Sequence, residues 1–80
     1  MLLNYIRAAM NHAEYEILEE ENVYYGAIPI CPGVYSTGSS LESCRTELRE
    51  VFEEWILFRV HRKLELPEID GLSLRIEQVA

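Results

Sequence analysis

The stretch from Ser39 to Lys63 constrains the fold more than any other part of the chain. Leu41, Cys44, Leu48, Val51, Trp55 and Phe58 recur every three or four residues and form a continuous apolar seam, the spacing that gathers side chains on one face of an α-helix. Ser39, with Glu42 three residues later, matches a capping box, in which two side chains satisfy orphan backbone donors and set where the helix begins. Arg59, Arg62 and Lys63 set positive charge against the negative end of the helix dipole. Pro67 stops any continuation. A helix this long must bury its seam on something, and the segments before it have the period of strands.

Ala13, Tyr15 and Ile17 alternate with Glu14 and Glu16, as in a strand with one wet face. The polar run Glu19–Asn22 then connects to "VYYGAIPI", so the two segments pair most simply as an antiparallel hairpin. Pro29 cannot donate to a ladder and belongs at a strand end or edge. Cys31-Pro32-Gly33 is a turn signal, and Val34 to Thr37 gives a third short strand. Leu2, Ile6, Ala9 and Met10 predict a short amphipathic helix ending near Asn11 or His12. Beyond Pro67, a turn around Asp70 and Gly71 leads to a last strand, with Leu72, Leu74 and Ile76 alternating against Ser73, Arg75 and Glu77. The expected order is αβββαβ: an α+β protein whose antiparallel sheet packs on one long helix. At 80 residues, it forms a single domain over 1–80 with no room for a second.

The helix and the sheet do not match in length. From Leu41 to Lys63 the helix spans roughly 34 Å, whereas four strands are only about 19 Å wide. Phe52, Ile56, Leu57 and Val60 add to the seam in the second half, so one sheet cannot bury every apolar side chain there. Either the N-terminal helix folds back over the surplus, or a second copy or a partner covers it, since large apolar patches seldom stay exposed on monomers. A homo-oligomer, dimer or tetramer, ranks first, with Phe52, Trp55, Ile56 and Phe58 as its self-association residues.

The net charge of -7 opposes polyphosphate ligands, because nucleic-acid binders need a basic face to displace counterions. A helix, three strands and a helix is also the element order of a double-stranded RNA-binding domain. Here, however, the helix that would face phosphate opens with Glu42, Glu47, Glu50, Glu53 and Glu54. No direct nucleic-acid contact is expected. Two unpaired cysteines, Cys31 and Cys44, signal neither a disulfide framework nor a zinc site and fit reduced thiols in a cytoplasmic protein. Cys44 lies on the seam, while Cys31 is expected to be accessible in its turn. "MLLNYIRAAM" is too short and too polar for a membrane span.

Catalysis finds no pattern to rest on. Asp70 is the only aspartate, so a convergent carboxylate set for two-metal hydrolysis is missing. His12 and His61 read as helix-end histidines, and the serines and glycines fit neither a nucleophile elbow nor a phosphate loop. No metal or cofactor is expected. Glu14, Glu16, Glu19, Glu20 and Glu21 form an acidic edge that is either a solvated face or a surface that steers a basic protein.

One further feature is the ordered set of residues in "YYGAIPICPGVYSTGSSLESCRTELREVFEEWI". Tyr24, Gly26, Pro29, Pro32, Gly33, Gly38, Leu41 and Glu42 stand where the HicB family of antitoxins carries its core signature, so the chain resembles a short, single-domain HicB protein. The resemblance implies a partly degenerate RNase H-like fold without nuclease activity, bound to a small basic HicA-type toxin that cleaves mRNA. The toxin contacts are expected on the acidic hairpin, at Glu14, Glu16, Glu19, Glu20 and Glu21, because a basic protein is steered toward such charge. Many members add a C-terminal DNA-binding domain, and none is expected here, one strand after the long helix. The competing reading is a stand-alone structural or regulatory oligomer, with a small ligand beside the Cys31-Pro32-Gly33 turn. Residual metal-dependent RNase activity is a third, weaker reading.

Overall fold

The computed structural model describes residues 2–74. The period-two segments form a three-stranded antiparallel meander: β1 (Glu14–Leu18), β2 (Val23–Ala27) and β3 (Tyr35–Gly38), in the order β1-β2-β3. Two helices flank it in sequence, α1 (Leu2–Asn11) and α2 (Leu41–His61). The expected turn at Asp70 and Gly71 is present, closed by reciprocal backbone hydrogen bonds between Ile69 and Leu72 of 3.0 and 2.8 Å. Residues 75–79 of the expected last strand lie outside the described residues, so three strands are seen where four were predicted.

The strand register decides where α2 sits. Tyr15, Gly26 and Ser36 line up across the sheet, and Ile17, Tyr24 and Gly38 form the next row on the same face. α2 packs chiefly on β3 and β2, with the fully buried Cys44 seated among the small residues. A Cβ on Gly26 would stand 2.8 Å from the Tyr15 ring and 3.1 Å from Cys44 Sγ. A Cβ on Gly38 would meet the backbone nitrogen of Cys44 and the Ser43 Oγ at 2.6 Å. Ser36 closes the seat by donating its hydroxyl to the Cys44 carbonyl at 2.8 Å. Far from this crossing, Ile17 on the β1 edge stays 56% exposed, against its expected place on the dry face.

Both ends of α2 are capped. The capping box is one residue later than predicted: Ser40 has the extended backbone of an N-cap, its Oγ accepts from the Ser43 N–H at 3.0 Å, and Ser43 Oγ accepts from the Ser40 N–H at 3.1 Å. Glu42 takes no part in the box and instead adds an acidic group to the first turn, where the helix dipole favours it. At the other end, Lys63 takes a positive φ of 58°. Its N–H donates to the Val60 carbonyl and that of Leu64 to Arg59, which together make a Schellman closure.

The buried row of α2 is Cys44, Leu48, Phe52 and Ile56, each four residues from the last. Such a row slants across the helix surface, whereas the predicted seam, alternating three and four, runs nearly parallel to the axis. The two therefore diverge toward the C-terminus. Phe52 and Ile56 are carried into the core, while Phe58 is left 54% exposed and Leu57 68%. α1 folds back onto this half: the Tyr5 ring stacks on Phe52 at 6.1 Å, and the Tyr5 hydroxyl donates to the Pro67 carbonyl at 2.5 Å. The expected assignment of Phe52 and Ile56 to self-association is thus corrected, since both are enclosed within a single copy. The covering by α1 accounts for much of the apolar surplus.

Gly38→Ala should lower stability by about 2 kcal/mol or more in urea unfolding, because its Cβ would collide with helix backbone that cannot yield cheaply. Lys63→Gly should raise stability by about 0.5–1 kcal/mol, since glycine takes the left-handed closing position without a Cβ penalty.

Candidate protein-interaction surface

Because α2 occupies one face of the meander, the alternate residues of each strand point the other way. In register across that outer face run Glu14, Ala27 and Tyr35, then Glu16, Tyr25 and Thr37. Among the described residues, α2 is the element that packs extensively on the sheet, and it does so on the other face. Tyr25 and Tyr35 meet edge to face, with ring centroids 6.2 Å apart, and Tyr35 is 55% exposed. Glu14 and Glu16 are both exposed, and neither enters an ion pair among the described residues. The face therefore joins two carboxylates to two phenol rings, a mixture of charge and apolar area that suits a protein partner.

The structure divides the five predicted glutamates into two groups. Glu14 and Glu16 share the outer sheet face. Glu19, Glu20 and Glu21 lie in the connection beyond it, exposed, where Asn22 takes a φ of 53° to complete the reversal. Tyr25, Tyr35 and Thr37 were not singled out from the sequence. Their signal was the phase of alternation, because Tyr24 and Gly26 face the helix and the residues between and beyond them must face away.

The loop between β2 and β3 points inward every third residue. Ile28, Cys31 and Val34 are buried, tied by hydrogen bonds from the Cys31 N–H to the Ile28 carbonyl and from the Val34 N–H to the Cys31 carbonyl. Cys31 was expected to be accessible, and this is corrected: it is wholly enclosed, because the loop needs an apolar anchor to rest on α1 and α2. Burial pushes its thiol up to about 11, against a weaker opposing pull from Arg59. Burial likewise pushes the Tyr5 phenol up to about 12, helped by Cys31 and opposed by Arg59. A thiol held this way is a packing group and a poor nucleophile.

Outside the loop is an open groove of about 370 Å³, lined by Ile30, Pro32, Trp55, Arg59, Leu66 and Pro67 among others. Arg59 stacks 4.9 Å over the half-buried Trp55 ring and donates from Nε and Nη2 to the Glu65 carbonyl. His12 pairs with Asp70 at 2.6 Å and ties the end of α1 to the turn after α2, while His61 is exposed in the last helical turn. Among the described residues no three His, Cys, Asp or Glu side chains converge as metal ligands would, and no helix is long and apolar enough to cross a membrane.

A family model described as UPF0150-like matches residues 4–67, a span that includes the outer sheet face and all of α2. A curated relative from Thermotoga maritima, named UPF0150 protein, is 50% identical over 55 residues, which are 69% of this chain and 72% of the relative. The crystal structure of TTHA0281 from Thermus thermophilus is similar with a TM-score of 0.89 at 36% identity, over 96% of this chain and 95% of that one.

The raised thiol and phenol fix the sign of an alkaline transition. Both groups ionise at lower pH in the unfolded chain than in the folded one, so their contribution is complete below about pH 9 and is lost as pH rises toward 11–12. The urea midpoint should fall over that window, and less steeply in Cys31→Ala. Neither native cysteine should react with a thiol reagent at pH 8 until denaturant is added.

Proposed function

The chain belongs to the UPF0150-like family, and we propose that within it this protein is an antitoxin of HicB type that neutralises a small, basic, HicA-type mRNA-cleaving toxin by occlusion. The observation that carries this reading is the outer sheet face, where Glu14 and Glu16 stand exposed and unpaired beside Tyr25 and Tyr35. Carboxylates steer a basic protein to the surface, and aromatic area holds it once water is expelled. A toxin whose RNA-binding surface is basic offers the complementary charge, and covering that surface blocks substrate without any reaction. The three-stranded meander followed by a long helix is compatible with the partly degenerate RNase H-like fold of that family. On this reading the protein is not an enzyme, and its net charge of -7 disfavours direct contact with nucleic acid.

A second reading has one observation in its favour. The groove of Trp55, Arg59, Pro32 and Pro67 beside the Cys31-Pro32-Gly33 turn is the place where a small ligand would dock if the chain worked as a stand-alone regulatory oligomer. Trp55 fluorescence reports on occupancy of that groove directly.

The purified chain should bind a HicA-type toxin and abolish its RNA cleavage at equimolar ratio, while cleaving no RNA itself in Mg²⁺ or Mn²⁺. Glu14→Lys with Glu16→Lys should weaken inhibition by about 10-fold or more and remove most of its salt dependence. Intact inhibition in that double variant, or no inhibition by the unaltered protein, overturns the assignment.

A further inference from the structure

We propose that the groove beside the Cys31-Pro32-Gly33 turn binds a small aromatic carboxylate, its two oxygens taken by the Arg59 guanidinium and its ring seated against Ile30, Pro32, Leu66 and Pro67. This gives a ligand class to the groove of the second reading above, on which it rests, and it needs no toxin. The observation that carries it is the way Arg59 is held. Tyr5 stacks on Phe52, Phe52 stacks on Trp55 with ring centroids 5.9 Å apart, and Arg59 lies 4.9 Å over the Trp55 ring. A column of three rings thus runs from the core to the groove and ends in a cation. The guanidinium edge that carries Nε and Nη2 is already engaged, donating to the Glu65 carbonyl at 2.8 and 2.6 Å.

The other edge of the guanidinium decides the occupant. Two of its N–H donors reach the carbonyl, and the outer N–H groups of Nη1 and Nη2 keep the parallel fork that matches the two oxygens of a carboxylate. No carboxylate of the chain takes that fork: among the described residues the ion pairs are His12–Asp70 and Arg49–Glu53. Arg59 is half-buried, so its charge is less screened than a surface cation's. That charge reaches Cys31 and Tyr5, whose ionisation it favours against their burial. Stacking and the carbonyl hold the cation in place before any ligand arrives, which lowers the entropy lost on binding. The remaining lining selects the body of the ligand. The groove of about 370 Å³ has the size of a small-molecule site, and Pro32 and Pro67 give it walls with no rotamers to freeze. A bare inorganic anion would leave those apolar walls in water, whereas an aromatic ring covers them. A polyphosphate would meet the exposed Glu65 at the groove and the net charge of -7.

Titration of the full chain with phenylacetate, followed by the indole N–H resonance of Trp55, the sole tryptophan, should saturate with a Kd of about 1 mM. Phenylacetamide, with the same ring and no charge, should bind about 10-fold more weakly, and acetate should leave the resonance in place at the same concentrations. Arg59→Lys keeps the charge but not the fork, so it should weaken phenylacetate by about 5-fold and leave phenylacetamide unchanged. Because Arg59 also braces the chain after α2, a second variant leaves it intact. Glu65→Gln removes a carboxylate from the groove and retains the carbonyl that holds Arg59, and it should tighten phenylacetate by about 2-fold at low salt. Ile30→Asp, at a position 39% exposed, should weaken phenylacetate by about 10-fold with the circular dichroism spectrum unchanged. Equal affinity for phenylacetate and phenylacetamide would overturn the carboxylate assignment and leave the groove a ligand site. An equal response to acetate would overturn the aromatic one, and binding of none of the three would overturn this proposal and the second reading together. Toxin inhibition has no bearing on any of these readouts.

Discussion

The close approach of the first turns of α2 to β2 and β3 governs the rest of the molecule. Gly26 and Gly38 have no side chain, so Cys44 can settle onto the sheet backbone, and Ser36 fastens it there through the Cys44 carbonyl. Once that end is pinned, the crossing direction is fixed and the remaining turns of the helix run off the sheet. The core must follow the helix beyond the sheet. It does so along the four-residue row to Phe52 and Ile56, where α1 supplies Tyr5, Ile6 and Ala9 and the inward residues of the β2–β3 loop supply Ile28, Cys31 and Val34. The signature positions of the chain are thus explained by contact: two of its glycines make room, and its turn residues shape a loop that anchors the overhanging half.

The same geometry leaves two faces with different characters. The outer side of the meander combines acidic groups with aromatic rings and faces away from both helices. The flank of α2 keeps Leu57 and Phe58 exposed among charged side chains. Neither is an accident of composition alone. The first exists because a three-stranded sheet has one helix layer; the second exists because a slanting buried row and a straight seam cannot coincide over 21 residues of helix.

Most elements were legible in the sequence because each rests on local chemistry. Strand alternation placed β1, the serine and glutamate pattern placed the start of α2 to within one residue, and Asp70-Gly71 marked its turn. What failed was tertiary. Ser39 and Ser40 are both competent caps, and only the backbone conformation at Ser40 decides between them. Phe52, Ile56 and Phe58 are indistinguishable as apolar residues, and only the angle at which the helix crosses the sheet sends two inward and one outward. Cys31 looked like a turn residue because Pro32 and Gly33 follow it, yet the loop needs a small apolar side chain pointing down. Of the candidate site, the acidic half was visible as a run of glutamates. The aromatic half depended on which phase of β2 and β3 faces the helix, which the close-packed glycines decide.

Electrostatics sets the conditions under which the outer sheet face can be used. The chain carries a net charge of -7, so on the proposed reading a basic protein is drawn in from a distance, and salt screens that attraction over about 8 Å at physiological ionic strength. Capture through Glu14 and Glu16 would therefore weaken as salt rises, while the Tyr25 and Tyr35 rings, which meet edge to face beside them, supply apolar contact that salt does not screen.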